Sequence, residues 1–449
     1  MNLVNWLKPP LNWKTCYLLV FPIIISQILQ RLYPVIDSRF ISLLGNEPLL
    51  IHSVQYNFII FGQFIGSATA ISCLVFWSRK ECVQRQGSIF LKHLLLVCLS
   101  MVALAVQLGI FSRYIMTSYK VDPVYLSLSS TYLCIGLVNM VLQAIYGSLD
   151  GMLIASGQQK RAVLISFALL IANILADAFA IYILFSGTQH PASVYYPLIF
   201  IGISTTTLIL IACLVVAYLI IRKVQGWEQI QFKEILPVWR SEIGIYFIRG
   251  ITPFIYALQL ISIKSSSGFL PTYQLALQIS YVLCLPLLAS MQLAVRNASE
   301  AISKNSNHIV PVWWNELLYT GLLPTIILLI IGILFPIGIF SSVYHYVPPV
   351  DHIPFIPIFF FACLVGQFAN VLTIPIRSRK KNYLMTRNFF LAEFVVMLGG
   401  TQLLIWFGLA KPWNVGVVIA LFVLAQLVLN YRSTLSLTQN EKLAYEASC

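Results

Sequence analysis

Three polar residues stand where purely apolar helix is expected, and their types suit them to hold a proton or a small hard cation. Asp37 ends the run Gln30-Arg31-Leu32-Tyr33-Pro34-Val35-Ile36-Asp37, while Asn173 and Asp177 lie in Ile171-Ala172-Asn173-Ile174-Leu175-Ala176-Asp177. A spacing of four puts Asn173 and Asp177 on one helical face. An amide oxygen and a carboxylate so placed can share a proton or supply oxygen ligands to a cation. A carboxylate at membrane depth costs about 2.5–3.5 kcal/mol on insertion scales, and chains keep it mainly where it faces a protein interior or a water-filled path. Asp37 therefore reads as functional; the alternatives are that it reaches the headgroup region or pairs with a membrane arginine. Arg39 is no local partner, since residues two apart point to different sides of a helix. For Asn173 the alternative is a packing hydrogen bond, and for Asp177 a place near the membrane interface.

Other residues are candidates with open alternatives. Asp150, in Ser148-Leu149-Asp150-Gly151, is either a site acid or a solvated acid at a helix end. Arg249 either pairs with Asp37 or Asp177 across a cleft, binds an anionic substrate, or snorkels to the interface, as Arg31 could. Pro22 and Pro34 fall inside the first helix, where each removes a backbone hydrogen bond and permits bending. The nine cysteines are scattered singly, with no CxxC or His/Cys ligand spacing, and read as packing residues. No structural metal and no cofactor is expected. Nothing matches a Walker A loop, a nucleophile elbow or a zinc signature, so the chain is not expected to be an enzyme or an ATP-driven pump.

The elements that position these residues follow from composition. Of 449 residues, 59% are hydrophobic and 10% charged, against about 25% charged for a soluble protein. Apolar runs of about 20 residues, each enough to span a bilayer, recur along the whole length. The pattern predicts an all-α polytopic membrane protein with twelve transmembrane helices, near 16–43, 53–77, 92–111, 124–147, 162–185, 193–221, 241–263, 271–295, 317–341, 353–376, 388–408 and 412–431. Placing the N-terminus in the cytoplasm leaves only Arg113, Lys120, Lys264 and Lys411 in outer loops, with Arg31, Arg39 and Arg249 inside helices. All other basic residues then lie inside, which is the positive-inside pattern. The net charge of +13 is thereby topological and does not point to nucleic acid. Residues 1–10 carry no cleavable signal pattern. Both termini are expected in the cytoplasm, with the chain in a bacterial inner membrane.

Equal helix counts on either side of a polar centre suggest two halves. Pro34 precedes Gln55 by the same interval as Pro253 precedes Gln274, and Ile154–Lys160 is echoed by Ile376–Lys381. The expected organisation is an N-terminal six-helix bundle (1–222), a cytoplasmic linker (223–240) and a C-terminal six-helix bundle (241–449). Duplicated halves around a cleft are a common basis of alternating access.

Four stretches together resemble the multidrug and toxic compound extrusion (MATE) family, prokaryotic branch, of the multidrug/oligosaccharidyl-lipid/polysaccharide flippase superfamily. These are Phe21 through Asp37 to Gly45, Ala155 to Arg161, Asn173 to Asp177, and Tyr273 to Ile279. The resemblance implies two pseudo-symmetric bundles around a central cleft, and a monomeric secondary antiporter in the lipid bilayer. It implies export of a small organic molecule, cationic or amphipathic, in exchange for H+ or Na+. Carried over by position, Asp37, Asn173 and Asp177 match the ion-coupling residues, and Na+ is a possible ligand of that trio. Gln30 and Tyr33 match polar residues of the bent first helix, Pro22 its proline, and Asp150 a polar position in helix 4; with Arg249 these are candidates for lining the cavity. Two departures stand out. Leu364 to Ile376 in helix 10 contains no carboxylate, and any of Thr205, Thr206 and Thr207 could supply the helix 6 hydroxyl. The rival readings are a flippase for a lipid-linked anionic head group, with Arg31, Arg39 and Arg249 around the cavity, and a non-transporting receptor or assembly factor.

Overall fold

Inside a bilayer no water is available to bond a backbone N–H or C=O, so a chain this apolar must satisfy those groups within helices. The computed structural model describes residues 13–77, 84–156, 158–185, 191–265, 268–303, 318–378 and 381–446. Within them the chain forms twelve long helical units, with a short helix over Ser112–Ser118 between the third and fourth. The first half holds α1 (Trp13–Ser42), α2 (Asn46–Trp77), α3 (Gln86–Ile110), α4 (Leu126–Ala155), α5 (Gln159–Phe179) and α6 (Pro191–Ile221). The second holds α7 (Phe232–Leu260), α8 (Phe269–Ser303), α9 (Leu323–Leu334, then Pro336–Tyr344), α10 (Phe355–Val371, then Thr373–Ser378), α11 (Asn382–Trp406 with a π-helical middle) and α12 (Pro412–Glu446). Among the described residues nine helices are long and apolar enough to cross a membrane, and the bent α9 makes a tenth. With α1 and α8, at 30 and 35 residues, the expected twelve-helix architecture is present. The membrane side carrying the start of α1 and the end of α12 is called here the tail side, the other the far side.

Two elements differ from the sequence expectation. Helix 9 is not straight: its two pieces meet at 93°. Pro336 opens the second piece without an N–H to donate, and Phe335 before it is pushed out of helical geometry to φ −125° and ψ 50°. The polar segment 223–240 is also not linker throughout. Helix α7 begins at Phe232, where the Gln231 and Glu234 side chains form a capping box, so only the stretch before it connects the halves.

Packing within the first half is tightest along α2 and α4, where glycines bring backbones together. A Cβ on Gly62 would stand 2.2 Å from the Met140 carbonyl oxygen, and one on Gly66 2.7 Å from that of Ala144. Helix α1 packs on α5 within its own half and on α8 across the cleft, and α2 packs on α7. On the far side one continuous apolar core joins both halves, from Ile41 and Leu44 to Tyr344 and Phe355. Hydrogen bonds stitch the same side: Ser38 donates to Gln278 at 3.0 Å, Gln274 to Asn57 at 2.6 Å, and Tyr119 to the Phe254 carbonyl at 3.1 Å.

Candidate ion and substrate site

Helix α1 turns Gln30, Tyr33 and Asp37 to one face, since steps of three and four return to the same side of a helix. Helix α5 answers with Ser166, Asn173 and Asp177, all fully buried. The opposite face of α5 carries Leu164, Phe167, Ile171 and Leu175, which are exposed as a lipid-facing surface requires. Two polar stripes thus meet inside an apolar half. Along the seam they form two nodes.

At the deeper node, Asn173 Nδ2 donates to Asp37 Oδ1 at 2.7 Å and to Asp177 Oδ2 at 3.3 Å. Thr205 on α6 donates to Asn173 Oδ1 at 3.0 Å, which holds the amide in this orientation. Thr205 is therefore the α6 hydroxyl of the site; Thr206 and Thr207 donate back to carbonyls of their own helix. Asp37 is 6% exposed and Asp177 is fully buried. The two carboxyls share the Asn173 amide and lie within electrostatic reach of each other, and among the described residues Asp177 Oδ1 has no hydrogen-bond partner. Two carboxylates this close in a water-poor site repel strongly when both are charged. A shared proton, or a cation held by their oxygens and the Thr205 hydroxyl, removes that repulsion. An all-oxygen donor set suits a hard cation. Among the described residues no arginine pairs with Asp37.

Two residues beside this node were not read from the sequence. Tyr132 on α4 lies within electrostatic reach of both carboxylates, and its hydroxyl is 3.0 Å from His52 Nδ1 on α2. His52 is buried, in a polar stretch of α2 that also buries Ser53, Gln55 and Asn57. Its signal was available: a titratable ring at the edge of the expected span 53–77.

The second node lies toward the tail side. Gln30 donates to Asp150 Oδ2 at 3.0 Å and to the Ser166 hydroxyl at 3.5 Å, and Tyr33 donates to the Ser166 carbonyl at 3.0 Å. The Tyr146 hydroxyl is 3.4 Å from that of Ser166. Asp150 is buried, not a solvated helix-end acid, and its Oδ1 has no hydrogen-bond partner. Gln30, Tyr33 and Asp150 thus stand inside the first half, between α1, α4 and α5. Pro34 lies in α1, which runs unbroken from Trp13 to Ser42, and so does the backbone of Pro22, whose side chain is outside the described residues.

The membrane arginines go elsewhere. Arg39 sits at the far-side rim, 2.8 Å from His345 Nε2 and donating to the Ser342 carbonyl. There it lines a crevice of about 420 Å³ with Ile36, Phe40, Leu43, Ile174 and Tyr182. Arg31 donates to Gln63 on α2 and lies 5.3 Å from the Tyr281 ring on α8. Arg249 stands over Phe389 at 4.8 Å and Phe64 at 5.7 Å. It pairs with neither Asp37 nor Asp177. The acid in its electrostatic reach is Glu393 on α11, a buried carboxylate that accepts from Thr252 at 2.7 Å. Glu393 sits in the apolar run Phe389–Met397 and meets the criterion that singled out Asp37, yet the sequence reading passed over it. A second crevice, of about 800 Å³, opens between α7 and α11 beside Arg240, Tyr383 and Arg387.

Comparison with known proteins agrees with this architecture. Residues 22–179 match the MatE family model. An inward-facing MATE multidrug resistance transporter of the MOP superfamily superposes with a TM-score of 0.74 at 14% identity, covering 95% of this chain and 100% of that one. A MOP-superfamily transporter from Pyrococcus furiosus, described by a binding pocket of reversed polarity that suggests a different function, gives 0.72 at 16% identity over 96% of each chain. An outward-facing MATE multidrug resistance transporter gives 0.71 at 14% identity, covering 94% of this chain and 95% of that one. No curated protein sequence matches the chain. At these identities the structural likeness is one of fold. Residues 22–179 thus resemble the MatE family, and the chain as a whole has the fold of these MATE transporters.

Proposed function

We propose that this MATE-type chain exports an organic compound in exchange for inward H+ or Na+, with Asp37, Asn173 and Asp177 as the ion site. The observation that carries the reading is the convergence of two carboxylates, from α1 and α5, on one buried amide with a spare carboxylate oxygen beside it. Charged and empty, the node repels itself; loaded with a proton or Na+, it draws α1 and α5 together. Because α1 also packs on α8 across the cleft, the loading state of the node biases how the halves meet. The driving free energy is the difference in ion affinity between the two cleft states. Thr205 serves as a positioning residue through Asn173. Gln30, Tyr33 and Asp150 form a polar route along the same seam toward the tail side, which we assign to the cytoplasm of a bacterial cell with the chain acting as a monomer in its inner membrane.

The test is transport in proteoliposomes with a pH gradient or a Na+ gradient imposed separately. One of the two should drive export, and the other should not. A chain that moves substrate equally well without either gradient is not an antiporter of this kind, and binding without any transport would favour the receptor reading.

A further inference from the structure

Arg31 and Arg249 face the junction of the two halves near mid-span, one from α1 and one from α7. Both are half-buried. Neither is in an ion pair among the described residues. A guanidinium held at membrane depth without a carboxylate partner is costly, and such groups are kept where they meet a cavity or a counter-charge. The groups around them link the two. Tyr281 lies under Arg31 and within electrostatic reach of both guanidiniums. The Phe64 ring is 6.5 Å from that of Tyr281 and 5.7 Å from the Arg249 guanidinium. Tyr246 adds a further ring 6.2 Å from Phe64. Glu393 is the carboxylate in reach, and it already accepts from Thr252. Among the described contacts the two guanidiniums thus meet one carboxylate, Glu393, and an aromatic floor.

We propose that Arg31 and Arg249 form a two-part receptor for an organic anion, an oxyanion head on a flat or apolar body, and that this anion is the exported species. The proposal rests on the transporter reading above and replaces the cationic substrate expected from family resemblance. A guanidinium fork engages a carboxylate, sulfonate or phosphate in two parallel hydrogen bonds and stacks on aromatic faces. Because each half supplies one arginine, a bound anion bridges the halves. Its release follows when they part.

The test uses the full chain in detergent with a matched pair of probes: a pyrenyl-alkyl carboxylate and the pyrenyl-alkyl trimethylammonium of the same chain length. The carboxylate is expected to bind at least about tenfold more tightly than the ammonium, a difference of roughly 1.4 kcal/mol. Arg31→Gln and Arg249→Gln should each weaken carboxylate binding by about tenfold or more, and Arg249→Lys, which keeps charge but loses the fork, by less. Glu393→Gln should tighten it. Equal affinity for the two probes, or unchanged carboxylate affinity in both glutamine variants, overturns the proposal. Should a glutamine variant fail to fold, competition on the unaltered chain decides: benzoate must displace the carboxylate probe, and displacement by benzyltrimethylammonium instead overturns the site.

A lipid arm separates the two sources of such an anion. In vesicles, movement of pyrene-labelled phosphatidic acid but not phosphatidylcholine assigns a lipid head group, while export of the carboxylate without lipid movement assigns a free anion. Equilibrium binding needs no gradient. A chain that prefers the carboxylate but shows no gradient-driven export keeps this proposal and loses the antiport reading, and a gradient-driven chain that prefers the ammonium does the reverse.

Discussion

The seam between α1 and α5 and the seam between α7 and α11 occupy corresponding places in the two halves, yet they carry opposite chemistry. Asp37 stands three residues after Pro34, and Tyr256 stands three after Pro253. Where Asp37 meets Asn173 and Asp177, Tyr256 lies beside Thr401, and Gln259 donates to Gln402 at 3.1 Å and to the Leu398 carbonyl at 3.0 Å. Both partner helices adjoin π-helical turns, one following α5 over Ala180–Leu184 and one within α11 over Leu391–Leu398, a feature frequent at functional sites. The scaffold is shared. The paired carboxylates are not: the second seam holds neutral amides and hydroxyls, with Glu393 as its carboxylate and Arg249 near it. Two like halves thus share backbone irregularities, while the paired carboxylates stand in one half and Arg31 and Arg249 at the junction.

That contrast can be broken at several points. The largest effect is expected from Asp37→Asn and Asp177→Asn, each of which should reduce gradient-driven export in proteoliposomes to the level of empty vesicles while the protein elutes and melts as folded; full activity in either removes the ion site. Next comes Gly62→Ala in the first half, where the new Cβ would meet the Met140 carbonyl oxygen at 2.2 Å. Overpacking of this kind costs about 1–3 kcal/mol, so the melting temperature should fall. Gly399→Ala in α11, with its nearest neighbour 3.5 Å away, should leave it nearly unchanged. A smaller effect is expected from Thr205→Val, which removes one hydrogen bond worth about 0.5–1.5 kcal/mol. The ion concentration for half-maximal export should then rise by a factor of about three to ten, with the maximal rate kept. The smallest belongs to Tyr256→Phe and Thr401→Val, whose ion dependence should match the unaltered chain. If Tyr256→Phe instead abolishes coupling as Asp37→Asn does, the two seams are functionally equivalent and the contrast fails.

The deeper node was legible in the sequence because a carboxylate in an apolar run violates a strong rule, and a spacing of four fixes which residues share its face. The α6 hydroxyl was not legible. Thr205, Thr206 and Thr207 project in three directions about 100° apart, and only the rotation of α6 against α5 decides among them. Asp150, near the end of α4, stayed open between a site acid and a solvated one, because the contact that covers it comes from Gln30 on α1, far away in sequence. Arg31 and Arg249 were visible as anomalies, but the partners offered for Arg249, Asp37 and Asp177, are not the ones it meets, since pairing across the halves depends on how the bundles meet. The start of α7 read as linker because its charges mask an amphipathic turn. The bend in α9 was signalled by Pro336, which falls inside what hydropathy alone reads as one uninterrupted span.

The close approach of α2 and α4 also fixes what can serve as a ruler. With Gly62 and Gly66 against the α4 backbone and Gly136 against Gln55, these two helices have no slack to slide or tilt without collision. They form a plate, and the moving parts of the first half are left to α1 and α5. Spin labels or fluorophores at the ends of α2 and α4 should therefore report a constant separation through the cycle. Labels on α1, measured against that plate, should register the stroke.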